Sequence, residues 1–421
     1  MSRSLDLRRV FGGLLILIGV ALPLIYFTSA ANSQPDRPTP TSTATRVPER
    51  LIPTLTATPR SATSNSTTDV TPTSASATPT RVSATQRPTN KAPTSTAVPS
   101  PTPTAAVHPT QPPVSGGLYT TRARFGIGVP LPAPYIQRLL DLKAGWFLDW
   151  GLSATSGWPA GLDYVRIVSV PRGQIQIDLK TLANLAKRQP GAVWLIGNEP
   201  DVIWQNNATP EQYVQAYHTA YTTLKAADPT SRIAIGSVTQ PTPLRLQYLD
   251  RILTLYREQF GTDMPIDVWN VHNFILPEKR GDWGAEIPPG LDVTSGVDRT
   301  IEQHDDLALF KQQIIDFRRW LAERGFRDKE LIVSEYGVLM YADLGFPYER
   351  VRDFMTGTFD FMLTATDPTL GLPADGNRLV QRWCWYSLSD STSYPTGNLV
   401  DPTTGQLTPL GQDFAAYLHS H

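Results

Sequence analysis

The chain has 421 residues, 37 Lys and Arg against 38 Asp and Glu, and a formal net charge of -1. That balance excludes a strong electrostatic pull on nucleic acid or an anionic membrane surface. One cysteine, Cys384, excludes an intrachain disulfide and a thiolate metal cluster. Inside an apolar run it reads as a small buried hydrophobe.

Arg3, Arg8 and Arg9 precede an uncharged stretch over residues 10–31. Basic residues before an apolar run hold the start of a chain in the cytoplasm. The run is near the ~20 residues that span a bilayer, yet Pro23 interrupts it and Thr28-Ser29-Ala30 offers a small-residue cleavage site. Residues 1–32 therefore read as a signal anchor or a cleaved signal, with everything after them exported. Residues 33–117 are rich in Ser, Thr, Pro and Ala. Such a segment has little apolar surface to bury and reads as a disordered spacer of polyproline character.

From residue 118 to 421 the pattern alternates strand and helix. Strands are predicted at residues 124–129, 144–150 and 162–170. Leu179, Leu182 and Leu185 then share a helical face. A fourth strand at 192–196 ends in Asn198-Glu199-Pro200-Asp201. Thr209 and Gln212 form a capping box around Pro210, which opens the next helix. Further strands follow at 232–238, 266–274, 331–338 and 380–388, with helical stripes between them. A long polar loop separates the sixth strand from its helix. Eight alternations indicate a (β/α)8 TIM barrel, an α/β fold. An open doubly wound sheet is the alternative, but no glycine-rich phosphate loop follows the first strand.

Active sites of such barrels lie at the C-terminal ends of the strands. Two apolar strands end there in a glutamate, the fourth at Glu199 and the seventh at Glu335. A carboxylate directly after such a run is costly without a role or a partner. Two facing carboxyls are what glycoside hydrolysis requires, one protonated and one ionised. The chain has six histidines but no metal-ligand spacing among them, so no metal and no cofactor is expected.

Asn198-Glu199 and Ser334-Glu335-Tyr336-Gly337, in this order, resemble the retaining glycoside hydrolases of clan A. Asn198 to Asp201 with Asp149-Trp150-Gly151 is most similar to the Asl-type endo-β-1,3-glucanase branch. The chain departs from that branch in carrying Asp149 in place of Asn, and His272-Asn273-Phe274 in place of His-Trp-Tyr, which leaves the xylosidase-like and general endoglycanase branches of the clan open. The resemblance implies Glu199 as acid/base, Glu335 as nucleophile, and Asn198 at the sugar 2-hydroxyl. It further implies His272 beside Asn270 as positioning groups, Tyr336 as a substrate contact and a sugar-ring floor at Trp385, on the same strand face as Trp383. Trp150 and Trp204 are candidate subsite walls, and Trp283 a platform in the long loop. The expectation is an exported monomer acting on carbohydrate, touching membrane only through its first residues. A non-catalytic carbohydrate-binding barrel and a purely structural surface module are the rival readings.

Overall fold

The computed structural model describes residues 117–130, 134–152, 159–391 and 393–421. The signal or anchor segment and nearly all of the proline-rich spacer lie outside the described residues. Nine parallel strand segments form one sheet: β1 Phe125–Gly128, β2 Trp146–Leu148, β3 Asp163–Tyr164, β4 Arg166–Val168, β5 Val193–Asn198, β6 Arg232–Ser237, β7 Val268–His272, β8 Glu330–Tyr336 and β9 Arg382–Trp385. Their order is β3-β2-β1-β9-β8-β7-β6-β5-β4. The outer members, β3 and β4, are joined by Val165 alone, whose N–H donates to the Phe147 carbonyl at 3.0 Å. The ring therefore closes, and the third predicted strand is present as two short pieces. This is the (β/α)8 barrel that the alternation indicates.

Helices α1 Thr121–Arg124, α2 Arg138–Asp141, α3 Leu179–Arg188, α4 Pro210–Ala227, α5 Pro243–Phe260, α6 Leu307–Glu323, α7 Tyr348–Thr364 and α8 Pro409–Ser420 occur among the described residues. The capping box of α4 is formed: Gln212 N–H donates to Thr209 Oγ1 at 3.4 Å, and Thr209 N–H to Gln212 Oε1 at 3.0 Å. Pro210 at the first turn costs nothing, because that N–H has no helical partner to lose.

Strand period two sorts the apolar residues into two cores. Trp146, Leu148, Val165, Ile167, Val193, Leu195, Ala234, Val268, Ile332 and Cys384 fill the barrel. Phe125, Ile127, Phe147, Trp194, Ile196, Trp269, Val333, Trp383 and Trp385 belong to the larger layer between sheet and helices. Cys384 is buried among apolar side chains, which pushes its thiol pKa well up and leaves it an unreactive space-filler.

Two glycines on β1 make room for the indoles inside. A Cβ at Gly126 would lie 2.2 Å from the Trp146 ring, and one at Gly128 would lie 2.8 Å from the Trp150 ring. At the opposite, N-terminal end the chain plugs its own barrel. Tyr119 Oη donates to Glu330 Oε2 at 2.7 Å and accepts from Arg232 Nη1 at 2.9 Å. Arg124 is buried and grips Asp375 through two hydrogen bonds of 2.8 and 2.7 Å.

Replacing Gly126 by Ala forces a fully buried tryptophan to move. The expected outcome is a loss of about 3 kcal/mol in unfolding free energy, read by denaturant titration. Ala at the solvent-facing Gly161 meets no side chain but is strained by a φ of +82°; its smaller loss calibrates the measurement.

Candidate active site

The C-terminal rim brings together groups from five strands. Glu199 follows β5, His272 ends β7, and Glu335 lies near the end of β8. Ser237 ends β6 and Trp150 lies just past β2. Glu199 Oε1 is 2.8 Å from His272 Nδ1, and the other ring nitrogen is 2.8 Å from Ser237 Oγ. His272 Nε2 is also 3.8 Å from Glu335 Oε2. Trp150 Nε1–H donates to that same Oε2 at 2.7 Å. One oxygen of Glu199, one of Glu335 and a nitrogen of His272 lie within 4.8 Å of one another. These three are also the residues that could hold a cation.

Glu335 faces the mouth because its strand is irregular. Ile332 points into the barrel and Val333 out of it, so strict alternation would turn Glu335 outward. The pairing shifts register between Val333 and Tyr336 against β9, and His272 on β7 aligns with Glu335 where Ser334 would be in step. One extra residue in a strand re-aims the side chain beside it. Glu199 is turned differently, with a left-handed backbone at φ +41°, and Trp150 sits at φ +55°. Such conformations cost of order 1–3 kcal/mol each and persist where the surroundings over-determine them.

The site is nearly dry. His272 is 1 % exposed, and the side chains of Glu199 and Glu335 are 8 % and 13 % exposed. Burial raises Glu335 to about 7, opposed by the His272 charge and the Trp150 N–H and reinforced by Glu199. Burial lowers His272, but Glu335, the hydrogen bond to Glu199 and the Glu199 charge outweigh it, and its net direction is upward. The imidazole thus lies between two carboxyl groups that both favour its protonated form.

A buried ionic cluster sits behind Glu199. Asp201, Arg245 and Glu278 are at most 1 % exposed. Arg245 Nε donates to Asp201 Oδ2 at 2.6 Å and Nη1 to Glu278 Oε1, while Nη2 donates to the Ala285 carbonyl at 2.7 Å. The cluster ties the loop after Glu199 to the long loop after β7. Burial raises Asp201 to about 6, against the pull of Arg245.

The other predicted site residues separate into two groups. Asn198 is at the rim, with Nδ2 donating to Gln205 Oε1 at 3.5 Å and a buried Oδ1 that has no partner among the described residues. Asn270 lies one inward step below His272, with both amide atoms unpartnered among the described residues. Trp204 is half-buried in the turn after Glu199, and Trp283 packs partly against the outer core. Trp385 and Tyr336 do not reach the mouth. Trp385 is fully buried on the helix side and donates to the Gly397 carbonyl at 2.9 Å. Tyr336 is fully buried between Phe310 and Trp385. Trp383 and Trp385 do share a face, but it is the outward one, because Cys384 takes the inward position.

Tyr386 takes the place expected of Trp385. Its ring lies 5.6 Å from Trp150, nearly perpendicular, and its hydroxyl donates to Asp390 Oδ2 at 2.8 Å. Inward parity from Cys384 is the signal that would have found it. Ser237 and the Asp201–Arg245–Glu278 cluster were also missed; for the cluster, no local pattern announces an ion pair between distant loops.

No described protein family matches the sequence, and no curated protein matches it. Solved structures do resemble the fold. A GH128 subgroup II endo-β-1,3-glucanase from Pseudomonas viridiflava has a TM-score of 0.49 at 17% identity, over 70% of this chain and 97% of that one. A subgroup I endo-β-1,3-glucanase from Amycolatopsis mediterranei, in complex with laminaritriose, has a TM-score of 0.48 at 20% identity, over 70% and 99%. A subgroup III curdlan-specific exo-β-1,3-glucanase from Blastomyces gilchristii, in complex with glucose, has a TM-score of 0.47 at 17% identity, over 70% and 99%.

Glu335 should titrate near pH 7 by carboxyl NMR, and Trp150→Phe should raise that midpoint, because it removes a donor to the ionised form. An unmoved midpoint would mean the 2.7 Å contact carries no charge stabilisation. Since the folded pKa lies above the ordinary value of 4.5, folding favours the protonated form. The Glu335 contribution to stability is therefore complete below about 4.5 and is lost as pH rises through about 7. Separately, Arg245→Met leaves two buried carboxylates unpaired and should cost about 3–5 kcal/mol in chemical denaturation.

Proposed function

We propose that this protein is a retaining O-glycoside hydrolase. One observation carries the reading: carboxyl oxygens from the ends of β5 and β8 lie within 4.8 Å of each other in a shielded barrel mouth. That closest approach of single oxygens favours the ~5–5.5 Å carboxyl spacing of a retaining pair over the ~6.5–9.5 Å that leaves room for a water in an inverting one. Glu335 attacks the anomeric carbon and the glycosidic C–O bond breaks. Glu199 delivers its proton to the leaving oxygen. Glu199 then takes a proton from the incoming water, which displaces Glu335 from the sugar.

Two features support Glu335 as the attacking group. Trp150 Nε1–H is hydrogen-bonded to one oxygen and steadies the anion, and His272 lies 3.8 Å away as a compensating charge. Burial raises Glu335, which therefore holds a proton to about pH 7. Catalysis needs that one proton on the pair, delivered from Glu199, so activity falls as pH rises through about 7 and the pair loses it. Trp150 and Tyr386 form an aromatic corner suited to the apolar face of a sugar ring. β-1,3-Glucan is the first polysaccharide to test, given the resemblance of Asn198 to Asp201 and Asp149 to Gly151. We further propose that the enzyme is a monomer working outside the cytoplasmic membrane, supported by the basic-then-apolar start at Arg3 to Ala31.

Hydrolysis of a glycan and aryl-glycoside panel by the full chain, beside Glu199→Gln and Glu335→Gln, tests the enzyme. Each substitution should lower turnover by about 10³-fold or more, since each removes a group acting in the transition state. A 2-deoxy-2-fluoro glycoside that traps the glycosyl-enzyme should label Glu335, read by peptide mass spectrometry. Label on Glu199 would exchange the two roles, and inversion of the product anomer would remove the double displacement.

A further inference from the structure

The loops after β4 and β5 border an open hollow of about 360 Å³, lined in part by Arg172, Gln174, Gln176, Gln205 and Asn207. It is joined to the catalytic strand end by hydrogen bonds. Gln205 Oε1, on the hollow, accepts from Asn198 Nδ2 at 3.5 Å. Asn206 Oδ1 accepts from Asn198 N–H at 2.9 Å and from Val170 N–H at 3.2 Å. One carboxamide thus ties the wall of the hollow to the residue preceding Glu199.

Arg172 is held in an unusual way. Its backbone is left-handed, at φ 50° and ψ 34°, and its N–H donates to the Asn206 carbonyl at 2.6 Å. The next residue, Gly173, sits so close to α4 that a Cβ would lie 2.6 Å from the Gln212 carbonyl oxygen. The backbone is fixed at the expense of strain, while the guanidinium is exposed to solvent and free to bind, with neither a hydrogen bond nor an ion pair among the described residues. Asp178, the nearest acid along the chain, is engaged in capping α3 through the N–H groups of Lys180 and Thr181. The other polar lining groups are neutral amides. Amides exchange hydrogen bonds with hydroxyls and set no charge preference; a lone cation beside them does.

We propose that this hollow is a subsite for a sugar ring bearing an anionic substituent, such as a carboxylate, with Arg172 as its cation. Because its wall is bonded to Asn198, the residue before Glu199, that ring is assigned to the leaving-group side of the bond cleaved, and this placement rests on the glycosidase reading. At this one position the enzyme then favours an acid-decorated ring over a neutral one, whatever sugar occupies the cleavage point.

Arginine side-chain NMR of the full chain reads the contact directly, with the Arg172 signal assigned by its loss in Arg172→Lys. Glucuronate should shift that signal saturably with a Kd of about 1–10 mM, the range of one weakly held ring. The shift should vanish near 1 M salt, where the Debye length is about 3 Å. Glucose at equal concentration should bind about tenfold more weakly, the worth of one charge-assisted hydrogen bond. No shift with glucuronate overturns the proposal, and so does an equal effect from acetate, which would show a bare anion contact. Equal affinity for glucose and glucuronate overturns the charge preference on which it rests. Because binding is read without turnover, a glucuronate shift in a chain that hydrolyses nothing would uphold the subsite and sink the glycosidase reading. Hydrolysis with no shift would do the reverse.

Discussion

Two carboxylates held within 4.8 Å in a nearly dry mouth repel each other by about 3 kcal/mol even at an effective dielectric of 20. Everything around them answers that constraint. His272 lies between them and is itself held by Ser237. Trp150 gives its N–H to one, and Arg245 neutralises the additional acid, Asp201, behind the other. The pair cannot be read as two independent residues: moving a proton at one changes the other, and the imidazole sets which one holds it.

The barrel supplies the rigidity that such crowding needs. Side chains alternate between an inner core and a helix-facing layer, so each strand end has one inward direction to offer. Gly126 and Gly128 open the space that Trp146 and Trp150 occupy, and this brings the Trp150 N–H to Glu335. Where alternation would have pointed the wrong way, on β8, an extra residue corrects it. A left-handed backbone does the same for Glu199. Glu199 and Glu335 are therefore both placed where regular backbone geometry is given up, and the packed strands around them hold them there.

The alternation of strands and helices was legible in the sequence because the apolar runs are long and the turns are marked by Gly, Pro and Asp. The capping box at Thr209 and Gln212 was legible for the same local reason. Glu199 and Glu335 stood out because a carboxylate after a buried strand is conspicuous. What was not legible depended on parity or on distance. Trp383 and Trp385 were rightly placed on one face, but only Cys384 packed inside with Ile332 and Val193 tells which face that is, and it displaces Trp385 in favour of Tyr386. The division of the third strand at Val165 follows from the pairing of β3 with β2 and of β4 with β5, which no linear pattern contains. The bond of Arg245 to Asp201 and Glu278 spans loops far apart in sequence and leaves no periodic trace.

Tyr119, wedged among Arg232, Glu330 and Arg382, fixes where the described chain enters the barrel. That entry is on the floor, at the pole away from the carboxylates. The other end returns to the same side: His419 lies 2.7 Å from Lys143, in the turn that leads into β2. For protein engineering this polarity is useful. A bead, a fluorophore or a partner domain attached at Tyr119 or at His421 would sit under the floor and leave the mouth unobstructed.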